Sequence, residues 1–469
     1  MALSSPAHAV AGKTTARRLA ELVHRVHFET LSADCIAETK RRVLDAIGCA
    51  LGGFAAEPSV AARQVARDLG GRTEATVWGE AGKTSCDRAT LANSTMLRYL
   101  DFMDSHAGPD ACHPCFNIPP LLAVAERVNA SGPDLLAALV AGYEIQIRFQ
   151  DACVVGKTGW FSGMYLEFSV PLAAGLLLGL DVDQMTQAVA ISASHGNTLG
   201  AQSHGMIPSS KSVADGMVSA IGVTSALLAV RGITGPEDVI ESPAGFAAAI
   251  AHSLDTDKLL APASEYRMME VNTKWFNTVR VAQTAVTGVF GIMDKLKIGW
   301  RDIGSIVIHL PTGEFSSHDG IWNGPSRLRP TTRDSANHSP IFSVAVASVD
   351  RVLGPDQYED EKLKNPDVLS VVDRTTLKPD PSLDKHWPAA AVTRIVLTTK
   401  DGRGDEATTF YAPGHHKNRV SQEQLQDKFT RLAGRLLDDK RRAGLFQAVA
   451  DLDRLPRVDE LTRWLRPKD

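Results

Sequence analysis

Cysteine is scarce in this chain of 469 residues, and neither sign of charge dominates it. The six cysteines all fall between residues 35 and 153. That is far below the density of a small secreted domain stapled by disulfides, so we expect reduced thiols. The formal net charge of −4 argues against a general electrostatic affinity for nucleic acid or for an anionic membrane. A small net charge is still compatible with a local basic pocket that binds a small anion.

Long apolar runs are also missing. The longest, at residues 168–180, is too short to span a bilayer and contains Pro171. The first 23 residues lack the apolar centre of a secretory signal. They do carry Arg17 and Arg18 and no acidic residue before Glu21, which leaves a mitochondrial transit peptide as an alternative. We predict a cytoplasmic location and no membrane partner.

Nucleotide-binding motifs are incomplete. The triplet Gly-Lys-Thr occurs at residues 12–14, 82–84 and 156–158. A phosphate-cradling loop needs another Gly five positions before the triplet, and the chain has Ala7, Val77 and Asp151 at those positions. No Gly-x-Gly-x-x-Gly opens a helix after a strand either. The sequence therefore offers no support for a nucleotide cofactor.

Helical periodicity runs from about residue 15 to residue 260. In residues 37–51 the apolar side chains fall on one face of a helix. Residues 131–149 open with Ser131, Pro133 and Asp134, which are helix-start signals, and the same signals recur at residues 234–239. We therefore predict a large helical bundle for this part of the chain.

The pattern changes near residue 270. Short β-branched runs at residues 304–311 and 391–399 predict strands, and the second is followed by a hairpin turn at Asp401-Gly402. Residues 281–296 and 339–353 are helix-like, and the tail is helical again after a capping box at Ser421 and Gln424. We predict a mostly α protein. Its large all-helical domain comprises residues 1–268 and 415–469, and its smaller α+β domain comprises residues 269–414.

A dozen residues, "DSHAGPDACHPC" at 104–115, concentrate groups that can do chemistry. Cys112 and Cys115 have the spacing of a zinc or redox pair, but no second ligand pair follows and the region is helical. A polar loop that packs its thiols is a second interpretation. Acid/base chemistry is a third, because Asp101, Asp104 and His113 are suited to proton transfer near neutral pH.

These residues also belong to a set of ordered motifs. "NSTMLRYLDFMDSH" and "HPCFNIPPLLAVAE" (93–126) resemble the signature of the MmgE/PrpD family. Later segments resemble further blocks of that family: residues 142–149, 175–181, 211–236, 274–286, 331–347 and 412–429. The resemblance covers nearly the whole chain. It implies a large helical domain with a smaller α+β domain, a homodimer, and chemistry beside a carboxylate without a metal or organic cofactor.

Site residues carry over position by position from this resemblance. The first Asp of the family's L-D-F falls on Asp101, the His of its H-P on His113, and its active-site Lys on Lys211. We expect these three to be catalytic, with His113 oriented by Asp101 and transferring the key proton. Further residues are expected to bind substrate: Asp104, Ser105, His106, Lys274, Arg280, Gln283 and His338. Arg98, one turn before Asp101, either binds a carboxylate or pairs with Asp101.

Two departures from the family pattern concern the site. Where methylcitrate dehydratases typically have G-W-D-H, this chain has Phe161 and Ser162 in the last two places, so a family His is missing. A stretch expected to read P-A-E-[YF]-H is residues 277–281 here. It lacks the Glu and the His and gains Arg280, which we expect to clamp a substrate carboxylate bidentately.

The resemblance implies a lyase, and we expect a hydro-lyase acting on a citrate-like di- or tricarboxylate. Removing a proton alpha to a carboxylate builds an enediolate-like dianion, so such a site needs a base and fixed cations. Three alternatives stay open: a dicarboxylate epimerase or isomerase, a cis-aconitate-type decarboxylase, and a non-catalytic member that binds a carboxylate.

Overall fold

A computed structural model describes residues 13–203, 207–316, 324–387 and 390–467. Residues 1–12, part of the start that suggested a transit peptide, lie outside these ranges, whereas Arg17 and Arg18 lie within them. The mostly α architecture with a smaller α+β portion is confirmed.

The first half of the chain is helical. Its helices are α1 (Thr15–His24), α2 (Ala33–Gly52), α3 (Glu57–Leu69), α4 (Cys86–Tyr99), α5 (Ile118–Val128), α6 (Gly132–Ala152), α7 (Leu166–Leu177), α8 (Val182–Ala193), α9 (Lys211–Val230) and α10 (Thr256–Leu260). Three short antiparallel pairings accompany them: β1 (Ala75–Thr76) with β2 (Lys83–Thr84), and β3 (Ser105–His106) with β4 (Val271–Asn272), besides an isolated bridge between Trp160 and Leu199.

The later part of the chain alternates helices with longer strands. The helices are α11 (Arg280–Leu296), α12 (Thr312–Ser316), α13 (Pro325–Leu328), α14 (Arg333–Asn337), α15 (Pro340–Asp350), α16 (Asp360–Leu363), α17 (Pro366–Val372), α18 (Gln422–Ala433), α19 (Asp439–Ala450) and α20 (Asp459–Thr462). The strands are β5 (Ile303–Leu310), β6 (Thr375–Pro379), β7 (Thr393–Thr399) and β8 (Gly404–Thr409).

These four strands form one mixed sheet in the order β6-β5-β7-β8. β5 pairs parallel with β6 and antiparallel with β7, and β7 pairs antiparallel with β8. The turn between β7 and β8 contains Gly402 at φ 89°, a conformation that suits glycine, as the Asp-Gly signal predicts. Helix α11 packs on this sheet.

The apolar interior is divided into two cores. One contains buried residues between 16 and 271 and also from the tail, between 425 and 465. The other contains buried residues between 279 and 397, contributed by α11, α15 and the sheet. The tail returns to the helical core because α18 packs against α2, after the predicted capping box of Ser421 and Gln424.

Helix α9 lies inside the helical core. It packs against α4, α7 and α8. Within the described ranges it is the one helix that is long and apolar enough by itself to cross a membrane, and 56% of its apolar window is buried inside the protein. A central helix of a bundle has the same composition because it is surrounded by other helices.

One helix start predicted from the sequence is wrong. Residues 234–239 form turns instead of a helix. Gly235 is pressed against α8, where an added Cβ would lie 2.7 Å from the backbone nitrogen of Ile191, and its own N–H donates to Gln187. This packing against a neighbouring helix overrides the local start signals.

Candidate active site

Asp101 lies just beyond the C-terminus of α4, in the left-handed backbone region at φ 52°. Its side chain is 4% exposed. Arg98 Nη1 donates to one carboxylate oxygen at 2.9 Å, and Lys274 Nζ donates to the other at 2.7 Å. Left-handed backbone is costly for a residue with a Cβ, so these two cations hold the carboxylate in a conformation that the isolated chain disfavours.

The charges around Asp101 decide its protonation state. Burial would raise the pKa of this carboxyl, but Lys274, His338 and Arg98 outweigh burial and hold the pKa well below its usual range. Asp101 therefore stays ionised and organises cations around it. Pairing, one of the two alternatives for Arg98, is observed, because its guanidinium contacts Asp101 and also lies 3.4 Å from Asp215. Carboxylate binding by Arg98 stays a prediction.

Lys211 and His338 meet where the two portions of the chain come together. Lys211 is the first residue of α9, and His338 follows the last residue of α14. His338 Nδ1 donates to the backbone carbonyl of Asp334 at 2.8 Å, so its Nε2 is an acceptor, and Lys211 Nζ lies 2.6 Å from it. The sequence separates these two side chains by 127 residues, and the fold places them in direct contact.

The Lys211 ammonium is poised to give up its proton. Burial lowers the pKa of Lys211 to about 7, and the nearby Arg98 acts in the same direction. A cation at a helix N-terminus is also disfavoured by the helix dipole. Burial and Lys211 hold the pKa of His338 well below its usual range. The pair therefore shares one proton near neutral pH.

A narrow cavity opens at this junction. It is lined by Arg98, Tyr99, Asp101, Lys211, Ser212, Asp334 and His338. The lining includes two carboxylates, a lysine and a histidine, and Lys274 pairs with Asp101. We refer to Asp101, Lys211, Lys274 and His338 as the cavity cluster. Buried cations that converge on a cavity are suited to an anionic ligand.

His113 stands near the cavity cluster but is not oriented as expected. Its Nδ1 donates to the backbone carbonyl of Asp104 at 2.7 Å, and no hydrogen bond to Asp101 occurs among the described residues. The expected orientation by the Asp101 carboxylate is therefore wrong. Burial lowers the pKa of His113 to about 3, with Lys274 and Arg98 adding to the effect. The ring is neutral, and its Nε2 is an acceptor.

The other polar residues of the 104–115 segment are engaged with the protein. Asp104 accepts from the Tyr143 hydroxyl at 2.8 Å and from the Cys115 backbone N–H at 3.1 Å. His106 Nδ1 lies 2.7 Å from Gln150, and its Nε2 faces Glu270 at 3.5 Å. The structure thus places these two side chains in a network beside the cavity cluster, where they brace the segment.

Ser105 and the two cysteines of this segment are buried. Ser105 pairs through β3 with Asn272 of β4, two residues before Lys274. Burial raises the pKa of the Cys112 and Cys115 thiols well above the usual range, which disfavours the thiolate that zinc or redox chemistry needs. In the ranges that the structure covers, no three His, Cys, Asp or Glu side chains gather as a metal site.

Arg280 and Gln283 hold parts of the protein together. Arg280 Nη2 donates to Glu314 at 2.6 Å, so the clamp expected for a substrate carboxylate is already closed on a protein carboxylate. The Gln283 amide donates to the carbonyls of Phe276 and Thr278 and accepts from the Phe276 N–H. Gln283 therefore shapes the loop that presents Lys274.

A residue that sequence reasoning missed supports the two chain segments that carry Asp101 and Lys274. Lys428, on α18, is buried and donates to the carbonyls of Phe102 and Lys274 at 2.9 and 2.8 Å, and it forms an ion pair with Asp45 at 2.7 Å. It ties the chain after Asp101 to the chain after Lys274. No local pattern marks it, since it is one lysine on an amphipathic helix.

The departure from the family pattern at Phe161 and Ser162 changes the surroundings of Arg98. The Phe161 ring centroid lies 6.0 Å from the Arg98 guanidinium carbon. The next glycine, Gly163, approaches Asp215 so closely that an added Cβ would lie 2.4 Å from its carboxylate. An aromatic ring therefore stands near the cation where the family pattern has a polar residue.

Comparisons with known proteins identify the relatives of this chain. A sequence model of the MmgE/PrpD N-terminal domain matches residues 17–258, and one of the C-terminal domain matches residues 276–453. The chain is 26% identical to a human cis-aconitate decarboxylase, over 97% of this chain and 95% of that protein. It is 24% identical to a cis-aconitate decarboxylase of Aspergillus terreus, over 93% of each. It is 25% identical to a 2-methylcitrate dehydratase of Cupriavidus necator, over 78% of this chain and 79% of that protein.

Proposed function

The chain belongs to the MmgE/PrpD family, and from that premise we propose that it is a lyase of a citrate- or aconitate-like tricarboxylate. The observation that carries the proposal is the contact of Lys211 with His338 at 2.6 Å, beside an ionised Asp101 and a neutral His113. This arrangement supplies a proton acceptor, a proton donor and buried cations. Those are the groups that elimination beside a carboxylate requires.

Hydro-lyase chemistry is the leading proposal. His113 Nε2 takes a proton from the carbon alpha to a carboxylate, and the electron pair moves into that carboxylate to form an enediolate-like dianion. Lys211 and the cations around Asp101 stabilise its charge. When the electron pair returns, the bond from the neighbouring carbon to its hydroxyl breaks, and the Lys211 ammonium supplies the proton that makes the leaving group water.

The test is incubation of the protein with citrate, 2-methylcitrate and cis-aconitate. Ultraviolet absorbance follows the conjugated double bond, and a trap for carbon dioxide runs in parallel. Formation or loss of the double bond without carbon dioxide is the expected result. In deuterated water, deuterium entry at the alpha carbon with no unsaturated product would instead identify an epimerase and contradict the hydro-lyase.

Decarboxylation is the second candidate. The human and Aspergillus terreus proteins named cis-aconitate decarboxylases match 97% and 93% of this chain, whereas the Cupriavidus necator dehydratase matches 78%. Loss of carbon dioxide leaves a carbanion that needs a proton, which the same Lys211 ammonium can donate. Release of carbon dioxide from cis-aconitate would replace the hydro-lyase with this activity.

A non-catalytic member would behave differently from either lyase. It would be stabilised thermally by a tricarboxylate, because a ligand that binds only the folded state raises the midpoint of unfolding, yet it would release no product. Stabilisation without turnover of the three acids would contradict the lyase proposal. The expected homodimer and the cytoplasmic location stay predictions.

A further inference from the structure

Arg327 is a buried arginine close to the cavity cluster. It lies on α13 and is 2% exposed. The Ser339 hydroxyl donates to its backbone carbonyl, and Ser339 directly follows His338. The backbone of Arg327 is thereby held beside the segment that carries His338.

Two nitrogens of the Arg327 guanidinium lack hydrogen-bond partners within the protein. Its Nε and Nη1 atoms are both buried, and neither makes a hydrogen bond. No carboxylate in the described ranges forms an ion pair with it. A buried charge without a counter-ion is unfavourable, so a protein that keeps one has a place for an anion beside it.

Electrostatic effects connect Arg327 to the site. Its charge is among the influences that lower the pKa of Lys211 and of His338. Burial lowers the pKa of Arg327 itself to about 10, and Asp334, which lines the cavity, opposes this shift. Arg327 is therefore close to the cavity that Lys211 and Asp334 line, although it is not itself among the lining residues.

We propose that Arg327 binds a substrate carboxylate that lies away from the reacting carbon. The inference rests on the proposed function and adds Arg327 to the cations of the site, besides Lys211 and Arg98, which line the cavity. A planar guanidinium with two unsatisfied nitrogens suits bidentate recognition of a carboxylate. The expected substrate is accordingly a polycarboxylate, one of whose acid groups serves only for binding.

The test compares R327M with a matched control, R329M. Arg329 lies two residues away, is exposed, and pairs with Asp373 on the surface. Affinity for tricarballylate, an unreactive tricarboxylic acid, is measured by calorimetry, together with the midpoint of thermal unfolding without ligand. R327M should bind about 30-fold more weakly and unfold at the same or a higher temperature. R329M should bind like the unmodified protein.

Stability separates a binding role from a structural one. An arginine that merely supports the fold would lower the unfolding temperature when replaced and leave tricarballylate affinity unchanged, which would overturn the inference. R327K keeps a charge without the planar fork and should bind with intermediate affinity. If R327M does not fold, unchanged affinity in R327K would overturn the inference.

The binding experiment also separates this inference from the proposed function. If the unmodified protein binds tricarballylate and R327M binds it equally well, Arg327 has no binding role and the lyase proposal is unaffected. If the unmodified protein binds no tricarballylate, both are contradicted. Because tricarballylate needs no turnover, the readout does not depend on finding the true substrate.

Discussion

The cavity cluster and the 104–115 segment contain the same types of residue in opposite circumstances. In the segment, Asp104 and His106 each have two protein partners. In the cavity cluster, Lys211 and His338 face a cavity. The polar groups of the segment are satisfied by the protein, whereas those of the cavity cluster still have room for a ligand.

The surroundings of a residue therefore distinguish a supporting role from a chemical one better than its residue type does. Burial raises the pKa of Asp104, while neighbouring cations hold the pKa of Asp101 well below its usual range. The two carboxylates are three residues apart in the sequence. What distinguishes them is the set of cations brought from distant parts of the chain, above all Lys274.

Replacing Lys211 should give the largest effect. K211M removes the proton donor and one buried cation, so kcat/KM should fall about 1,000-fold. Stability should be kept, because the lost ammonium is buried at a helix N-terminus. The control is K295M, since Lys295 is 70% exposed and pairs with Asp405 on the surface. Turnover by K211M at the rate of the control would rule out the site.

Matched substitutions of the two aspartates sharpen the comparison. D101N removes the charge that holds Arg98 and Lys274, and should lower kcat/KM about 100-fold. D104N keeps the backbone carbonyl that orients His113, so activity should stay within a few-fold. Its amide cannot accept from both Tyr143 and Cys115, which should cost about 1–3 kcal/mol of unfolding free energy.

Assays of activity and of urea unfolding on both variants decide this comparison. The account predicts a large loss of activity in D101N, and in D104N a loss of stability with activity nearly kept. A loss of activity in D104N as large as that expected for D101N would instead give Asp104 a part in the reaction.

The pH dependence of kcat/KM should report the pKa of Lys211. Below about pH 7 the ammonium is protonated and can donate; above that pH it loses its proton, so kcat/KM should fall about tenfold per pH unit. His113 is neutral throughout that range, because its pKa is about 3. The residual kcat/KM of K211M should not decrease above pH 7. If kcat/KM of the unmodified protein did not change with pH, Lys211 would not be the proton donor.

The smallest effect is expected at His106. H106Q retains a polar side chain between Gln150 and Glu270, so kcat/KM should change less than about threefold. A modest loss of thermal stability should accompany it, measured by scanning calorimetry. A loss of activity as large as that of K211M would show that His106 itself takes part in the reaction.

Most helices could be predicted because the cause lies within the segment itself. Ser131 and Asp134 cap α6, and Ser421 and Gln424 cap α18. The hairpin after β7 could also be predicted from its own residues, Asp401-Gly402. The failure at residues 234–239 arose from contact with α8, and the parallel pairing of β6 with β5 joins strands separated by more than 60 residues, which no local pattern encodes.

For the site, ordered motifs pointed to Asp101, Lys211 and His338, and the fold brings them together. The partner of His113 could not be found in the same way, because it is a backbone carbonyl and every residue has one. Lys428 and Arg327 escaped notice for a related reason. A lone cation becomes informative only when its burial and its partners are known.

The central claim is that the cavity cluster, rather than the neighbouring 104–115 segment, receives the carboxylate ligand. A crystal structure of the complex with tricarballylate tests it most directly. The account predicts a ligand carboxylate within hydrogen-bond distance of Lys211 Nζ. A ligand bound instead between His106, Gln150 and Glu270, with the Lys211–His338 contact undisturbed, would contradict it.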